Sequence, residues 1–307
     1  MNTLILPKPL RKGDTVALIA PASSAPHEAL QKAIKSIEFF DLVPKLYPSC
    51  ISKQGYLAGC DSVRASDLNN AFCDPAVQGI FCLRGGYGTM RLLNLLDYDR
   101  IRKNPKIFCG YSDITALHTV LNQKCGFVTF HGPMPSIGYH EIDEFSLTSL
   151  SLSLFGGINT VSLKNPRGMT LRAVCRGAAC GLLAGGNLSL LQSTLGSPYA
   201  LQPEGKIIFL EEVNEPLYKI DRMLTSLILS GAFNGATGIL LGSFSEIASS
   251  DRLHALFQDI FQPLGIPVVS GLAAGHEFPQ LTLPLGSMIF MDALNPSSVR
   301  LTAMPPS

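Results

Sequence analysis

Residues 105–124 read PKIFCGYSDITALHTVLNQK, and this stretch is the clearest indication of the fold. A short apolar strand meets Gly110-Tyr111-Ser112, and a helix begins at once with Asp113 in its first turn. A serine on a tight strand-to-helix turn projects its hydroxyl beyond the sheet, and the next amide points into the same space. The pattern predicts a nucleophile with an oxyanion donor beside it, although a serine before a helix also suits a plain N-cap.

The same alternation of short strand and helix occurs earlier in the chain. Residues 14–20 (DTVALIA) form an apolar, β-branched run, and residues 27–40 follow with a helical pattern. Residues 77–86 (VQGIFCLRGG) and 89–97 (TMRLLNLLD) repeat the unit. Short buried strands that alternate with helices predict an α/β fold whose parallel sheet is covered on both faces.

The chain changes character after about residue 135, where segments rich in Gly, Ser and Pro follow the last clear strand–helix unit. We predict an N-terminal α/β domain over residues 1–150, a linker over 151–169, and a smaller β-rich C-terminal domain over 170–307.

Composition limits the class of partner and the location. The 24 basic and 23 acidic side chains leave a net charge of +1, so we expect no nucleic acid partner. The chain has no apolar run of roughly 18 residues and its start does not match a secretory signal, so we expect a cytoplasmic protein with no membrane partner. The eight cysteines include no CxxC pair and are expected to be mostly small buried apolar residues, with no metal site.

A glycine-rich turn, Arg84-Gly85-Gly86-Tyr87-Gly88, follows a predicted strand. Adjacent glycines let backbone amides approach a ligand, which suits an oxyanion or a phosphate. The turn lacks both the G-x-G-x-x-G and the G-K-[ST] patterns of nucleotide loops, and an ordinary tight turn is the alternative.

A serine nucleophile needs a base, and histidine is the side chain whose pKa suits that work. His276 lies in GLAAGHEFPQLTLPLG, a predicted loop that contains several glycines and prolines. Loops of this kind often carry catalytic and binding residues. His118 more readily fits a packing role, and His131, which follows a strand in TFHGP, is a possible base but more readily fits a role in shaping the pocket. An imidazole needs a carboxylate to hold its tautomer, and Glu211 closes the apolar strand KIIFL, with Glu212 on the opposite face.

Taken together, several motifs make the chain resemble the LD-carboxypeptidases, a serine peptidase family that also contains the microcin C immunity peptidases. The motifs run through nearly the whole chain: GDTVALIAPAS, GYLAGCDSVRASDLNNAF, LRGGYG, LLDYDRIRKNPKIFCGYSDITALH, TFHGPM, GGNLSLL, FLEEVNEPLYKIDRML and GHEFPQLTLPLG.

The resemblance implies a role for particular residues. The serine of the GYSD motif, Ser112, would be the nucleophile, with Glu211 as the acid and His276 of the G-H motif as the base. The amides of Gly86 and Asp113 would form the oxyanion hole.

The resemblance also implies an architecture, in which the N-terminal domain is similar to class I glutamine amidotransferases and the C-terminal domain supplies the acid and the histidine. Members are usually homodimers, and no metal or organic cofactor is required. The family commonly has Glu-Asp where this chain has Glu211-Glu212, so Glu212 could replace Glu211, although strand alternation favours Glu211.

The implied function is hydrolysis of an amide between an L-centre and a terminal D-residue, with release of D-alanine from murein tetrapeptides in peptidoglycan recycling. Arg84, Tyr87 and Arg222 are candidates for binding this small peptide substrate. One alternative is an immunity peptidase acting on a peptidyl nucleotide or acyl adenylate, which the absence of tryptophan disfavours. Another is a non-catalytic ligand-binding protein. A thiol amidotransferase fits less well, because Cys109 lies in the strand before the turn.

Overall fold

A computed structural model describes residues 4–156, 162–245 and 250–304. The predicted linker therefore lies partly outside the described residues, since 157–161 fall within it. In the described ranges no helix combines the length and the apolar composition that crossing a bilayer requires. The predicted α/β class is confirmed, because the strands form a mainly parallel sheet and a second, mixed sheet.

The first sheet has six strands in the order β11-β5-β4-β3-β1-β2, and all neighbours are parallel except β11 and β5. Its strands are β1 (Thr15–Ile19), β2 (Val43–Leu46), β3 (Gly79–Cys82), β4 (Ile107–Gly110), β5 (Thr129–His131) and β11 (Leu283–Leu285). Val16 and Leu18 pack into the core on one face, and Ala17 and Ile19 into the core on the other. Burial on both faces explains why these strands read as continuous apolar runs.

The second sheet has seven strands in the order β13-β12-β7-β8-β9-β10-β6, and the neighbours from β7 to β10 are parallel. Its strands are β6 (Arg172–Cys175), β7 (Ala178–Asn187), β8 (Lys206–Val213), β9 (Gly238–Ser245), β10 (Val268–Ser270), β12 (Met288–Asp292) and β13 (Arg300–Ala303). The carboxyl end of β7 reaches the first sheet's helices, because the amide of Asn187 donates to Thr115 Oγ1 at 3.0 Å.

Eight α-helices cover the two sheets in the described ranges. They are α1 (His27–Phe39), α2 (Asp61–Cys73), α3 (Tyr98–Arg102), α4 (Thr115–Val120), α5 (Glu144–Ser151), α6 (Leu188–Ser193), α7 (Leu217–Leu229) and α8 (Ser250–Phe261). The segment Thr89–Leu95, where the sequence predicts a helix, is a 3-10 helix. Of the cysteines, Cys60 and Cys180 are exposed, which departs from the expectation of burial.

The strand β11 crosses the predicted division of the chain. It belongs to the C-terminal part of the sequence, yet Leu283 pairs with His131 at the edge of the first sheet. The loops that follow β1, β3 and β4 meet at the carboxyl edge of the first sheet, which is where ligands bind in open α/β sheets.

Candidate active site

Ser112 stands directly after β4 on a sharp turn. Its φ of 65° lies in the left-handed region that side chains rarely adopt, and the 3-10 segment Ser112–Ile114 leads straight into α4. A residue with a side chain persists in this region only where its surroundings hold it there, which is common at reactive sites. The turn presents the hydroxyl at the carboxyl edge of the sheet, as a strand-to-helix elbow does.

The glycine turn after β3 lies against this serine. A Cβ at Gly85 would lie 3.0 Å from Ser112 Cβ and 3.1 Å from its hydroxyl oxygen, so a side chain there would occupy the space above the hydroxyl. Gly86 has a φ of 112°, and a Cβ there would lie 2.3 Å from Ser23 Oγ. Gly85 therefore allows the close approach of the turn to Ser112, and Gly86 allows its close approach to Ser23.

Asp113 ties the glycine turn to the serine elbow. Its buried carboxylate accepts a hydrogen bond from the Thr89 amide at 2.9 Å, and its carbonyl accepts one from the Thr89 hydroxyl at 2.6 Å. Burial raises the pKa of this carboxyl to about 6, and the bonds from Thr89 offset only part of that effect. These contacts tie Asp113, the residue after Ser112, to Thr89 at the end of the glycine turn.

Glu211 and His276 form a hydrogen-bonded pair at the carboxyl end of β8. Glu211 Oε2 lies 2.7 Å from His276 Nδ1, and Glu211 is fully buried whereas 15% of the imidazole is exposed. Burial lowers the pKa of His276, but the hydrogen bond and charge of Glu211 outweigh it, so the net pKa is raised. Burial raises the pKa of Glu211, partly offset by the imidazole. The pair leaves Nε2 as the ring atom free for proton transfer.

The loop that carries His276 is shaped by its neighbouring glycine. Gly275 has a φ of 136°, and a Cβ there would lie 2.2 Å from Ser243 Oγ and 3.1 Å from Glu211 Oε2. The register of β8 against β9 also shifts between Leu210 and Glu212, next to the acid. A β-bulge changes the direction in which neighbouring side chains point. Here the irregularity lies at Glu211, whose carboxylate contacts the loop that carries His276.

The imidazole of His276 packs against the serine elbow. Its ring centroid lies 4.9 Å from that of Tyr111, the residue directly before Ser112. No hydrogen bond joins the Ser112 hydroxyl to His276 in the part of the chain that the structure describes. Such bonds are often long in free enzymes and form when substrate binds.

Two other histidines, His118 and His131, are fully buried. His118 contacts the Gly110 carbonyl and the Thr129 hydroxyl, each at 2.8 Å, and burial lowers its pKa to about 4. Burial also lowers the pKa of His131, and both of its ring nitrogens are without a partner. Neither ring reaches solvent, whereas the ring of His276 is partly exposed.

Glu212 points away from His276. Its carboxylate accepts hydrogen bonds from the Asn187 side chain at 2.9 Å and from the amide and hydroxyl of Ser189 at 2.8 and 2.6 Å. These contacts hold the amino end of α6, which suits a negative group.

The candidates for substrate binding are spread out. Arg84 donates to the Ser24 carbonyl at 3.3 Å, and Tyr87 is 46% exposed beside the glycine turn. Arg222 lies with Tyr218 on a shallow surface of α7. This surface includes none of Ser112, Glu211 and His276.

Sequence reasoning missed a buried arginine that supports the site. Arg64 is fully buried, and its guanidinium donates to the carbonyls of Pro21 at 2.6 Å and Gly88 at 2.9 Å and pairs with Asp61. It therefore joins the loops after β1 and β3. A helical arginine in a polar stretch carries no sign of burial, so only the tertiary structure reveals it.

Two domain families of known proteins match the chain. The LD-carboxypeptidase N-terminal domain matches residues 16–132, and the LD-carboxypeptidase C-terminal domain matches residues 180–291. The chain belongs to the LD-carboxypeptidase family. The fold and the enzyme class predicted from the motifs, a serine-type carboxypeptidase, are thereby confirmed.

Individual proteins agree with this assignment. The chain is 40% identical over 299 residues to a probable murein peptide carboxypeptidase of Bacillus subtilis, covering 95% of this chain and 93% of that one. A muramoyltetrapeptide carboxypeptidase from Oxalobacter formigenes superimposes with a TM-score of 0.80 at 30% identity, covering 94% and 98%. An MccF-like protein from Bacillus anthracis superimposes with a TM-score of 0.87 at 28% identity, covering 98% and 99%.

Proposed function

We propose that the chain hydrolyses the amide between an L-centre and the terminal D-alanine of a murein tetrapeptide, in peptidoglycan recycling. The observation that supports this proposal is that the ring of Tyr111, directly before Ser112 on its left-handed turn, lies 4.9 Å from the ring of His276, which is paired with the buried Glu211. The names of the relatives supply the substrate class, since one is a probable murein peptide carboxypeptidase and a solved neighbour is a muramoyltetrapeptide carboxypeptidase.

The chemistry follows from the roles of these groups. Ser112 Oγ attacks the scissile carbonyl while His276 Nε2 takes the hydroxyl proton, and Glu211 stabilises the imidazolium that forms. The amides of Gly86 and Asp113 donate to the oxyanion, and one such donor contributes about 3 kcal/mol. The intermediate collapses as the imidazolium gives its proton to the leaving amine of D-alanine. Water, deprotonated by the same imidazole, then releases the acyl group from the serine.

The test compares a Ser112→Ala variant with a Ser66→Ala control on α2. Mass spectrometry of tetrapeptide incubated with each protein should show loss of D-alanine with the control and wild type only. A fluorophosphonate should label wild type and the control but not Ser112→Ala. Release of D-alanine by a folded Ser112→Ala variant would defeat the proposal.

A second candidate substrate is an acyl adenylate or peptidyl nucleotide, because the chain is 30% identical over 322 residues to the microcin C7 self-immunity protein MccF of Escherichia coli, and MccF has been solved in complex with aspartyl sulfamoyl adenosine. Turnover of an aspartyl adenylate analogue, compared with turnover of the tetrapeptide under the same conditions, separates the two. A larger kcat/KM for the adenylate would make it the preferred substrate.

We also propose that the protein acts in the cytoplasm and that it forms a homodimer. The resemblance to the family implies the homodimer. Cell fractionation tests the location, and light scattering after gel filtration tests the mass. A monomer at micromolar concentration that remains fully active would refute the dimer.

A further inference from the structure

The glycine turn, residues 84–88, is irregular backbone between β3 and the 3-10 segment Thr89–Leu95. Within it Gly86 and Gly88 have φ angles of 112° and 137°. A segment of this kind keeps one conformation only where neighbouring parts of the fold hold it. The amide of Gly86 is one of the two proposed oxyanion donors, so the contacts that hold the turn bear on catalysis.

Two sets of hydrogen bonds hold the turn to other parts of the N-terminal domain. Ser23, in the loop after β1, donates its amide to the Gly85 carbonyl at 3.4 Å, and its hydroxyl accepts from the Tyr87 amide at 3.1 Å. The buried guanidinium of Arg64 donates to the Gly88 carbonyl at 2.9 Å. These bonds fix the turn to the loop after β1 and to α2.

Thr89 joins the turn to the serine elbow, residues 110–115. The threonine is fully buried, its amide donates to Asp113 Oδ2 at 2.9 Å, and its hydroxyl donates to the Asp113 carbonyl at 2.6 Å. Among the residues that the structure describes, no other hydrogen bond runs between 84–89 and 110–115. The two bonds of Thr89 therefore set how the end of the turn is placed relative to Asp113.

The two proposed oxyanion donors belong to the two segments that Thr89 connects. Gly86 is three residues before Thr89 along the chain, and Asp113 is the residue that Thr89 binds. Amide donors stabilise an oxyanion most strongly when they are held in place before the reaction. We propose that Thr89 is a positioning residue that holds the amides of Gly86 and Asp113 at a fixed separation. Because Thr89 is fully buried, it acts through these amides and not on the substrate. This inference rests on the proposed function and adds a residue to its machinery.

Removing only the hydroxyl tests this role. Thr89→Val keeps the shape of the side chain and the backbone amide that donates to Asp113 Oδ2. Its kcat for the tetrapeptide should fall about tenfold with KM within about twofold of wild type, because oxyanion donors act on the transition state. Thr89→Ser retains the hydroxyl and should keep kcat within about twofold of wild type.

Thr194→Val is the matched control for these kinetics. It also removes a buried hydroxyl that donates to a carbonyl, that of Leu191 at 3.0 Å, and it should behave as wild type. Equal kcat values for Thr89→Val and Thr194→Val would overturn the proposal.

Labelling with a fluorophosphonate distinguishes positioning from a loss of folded protein. The phosphonyl oxygen takes the place of the oxyanion when Ser112 attacks, so the rate constant reports on the donors, whereas the final extent reports on the folded fraction. Thr89→Val should be labelled about tenfold more slowly than wild type but to the same extent. A lower extent at an unchanged rate constant would show that Thr89 only stabilises the fold, and would overturn the proposal.

Hydrogen exchange keeps the proposal separate from the proposed function, since it requires neither substrate nor reaction. The amides of residues 84–88 and 112–114 should exchange about fivefold faster in Thr89→Val than in wild type, the factor that corresponds to one hydrogen bond. Thr194→Val should leave both segments unchanged. Unchanged exchange in Thr89→Val would overturn the proposal even if D-alanine release is confirmed. Faster exchange confined to these two segments would support the proposal even if the tetrapeptide is not hydrolysed.

Discussion

Replacing Asp113 by asparagine should stabilise the protein at neutral pH and have little effect in acid. The carboxyl is 1% exposed, Oδ1 has no hydrogen-bond partner, and burial raises its pKa from 3.8 to about 6. That difference corresponds to about 3 kcal/mol, which is the cost of ionising the folded protein at this position. Asparagine keeps an oxygen for the Thr89 amide and carries no charge.

The sign follows from proton binding. Below the unfolded pKa the carboxyl is protonated in both states and costs nothing. Between the unfolded and folded values the unfolded chain loses its proton first, so the wild-type free energy of unfolding falls as pH rises, and the full cost is present above about pH 6. The stability gain from Asp113→Asn should therefore grow by about 2.4 kcal/mol between about pH 4 and about pH 7.5.

Urea denaturation of wild type and Asp113→Asn at both pH values measures this gain. Subtracting the stability gain at the lower pH from the gain at the higher pH removes any pH-independent cost of burying the asparagine amide group without a hydrogen-bond partner. Asp99→Asn is the control, because its side chain is 81% exposed, and it should change stability by less than about 0.5 kcal/mol at either pH. An Asp113→Asn effect that is the same at both pH values would refute the reasoning.

Four further substitutions test the support of the site. Gly86→Ala should lower kcat by about 100-fold with circular dichroism unchanged, since its Cβ would clash with Ser23 and displace the turn; unchanged kcat would contradict a role for this amide. Arg64→Met should lower the free energy of unfolding in urea by about 3 kcal/mol, because it leaves buried carbonyls without donors, and a neutral effect would show that water replaces them. Glu211→Gln should lower kcat by about 10⁴-fold by disturbing the imidazole, whereas Glu212→Gln should mainly reduce stability; the reverse result in steady-state kinetics would exchange their roles.

The parts of the structure that could be predicted from sequence are those that depend on local sequence patterns. The strand, turn and helix around Ser112 follow from an apolar run that meets Gly110 and a helical pattern, and the buried parallel strands show as apolar runs. The alternation of side chains along β8 also anticipated that Glu211 and Glu212 would face different neighbours.

The long-range contacts could not be read in this way. Glu211 and His276 are 65 positions apart, and their pairing was implied by family resemblance, since nothing local encodes it. The segment Thr89–Leu95 has a helical pattern but forms a 3-10 helix, and both the amide and the hydroxyl of its first residue are engaged by Asp113. The contact between the rings of Tyr56 and Tyr87 joins residues 31 positions apart that no periodicity connects.

The antiparallel pairing of Leu283–Leu285 with Thr129–His131 bears on synthesis of the chain. During translation the first five strands can assemble early, but β5 keeps an open edge until residue 285 has left the ribosome. An open strand edge recruits other chains. A fragment ending near residue 150 should accordingly form aggregates, and the late strand makes completion of the first sheet one of the last events of folding.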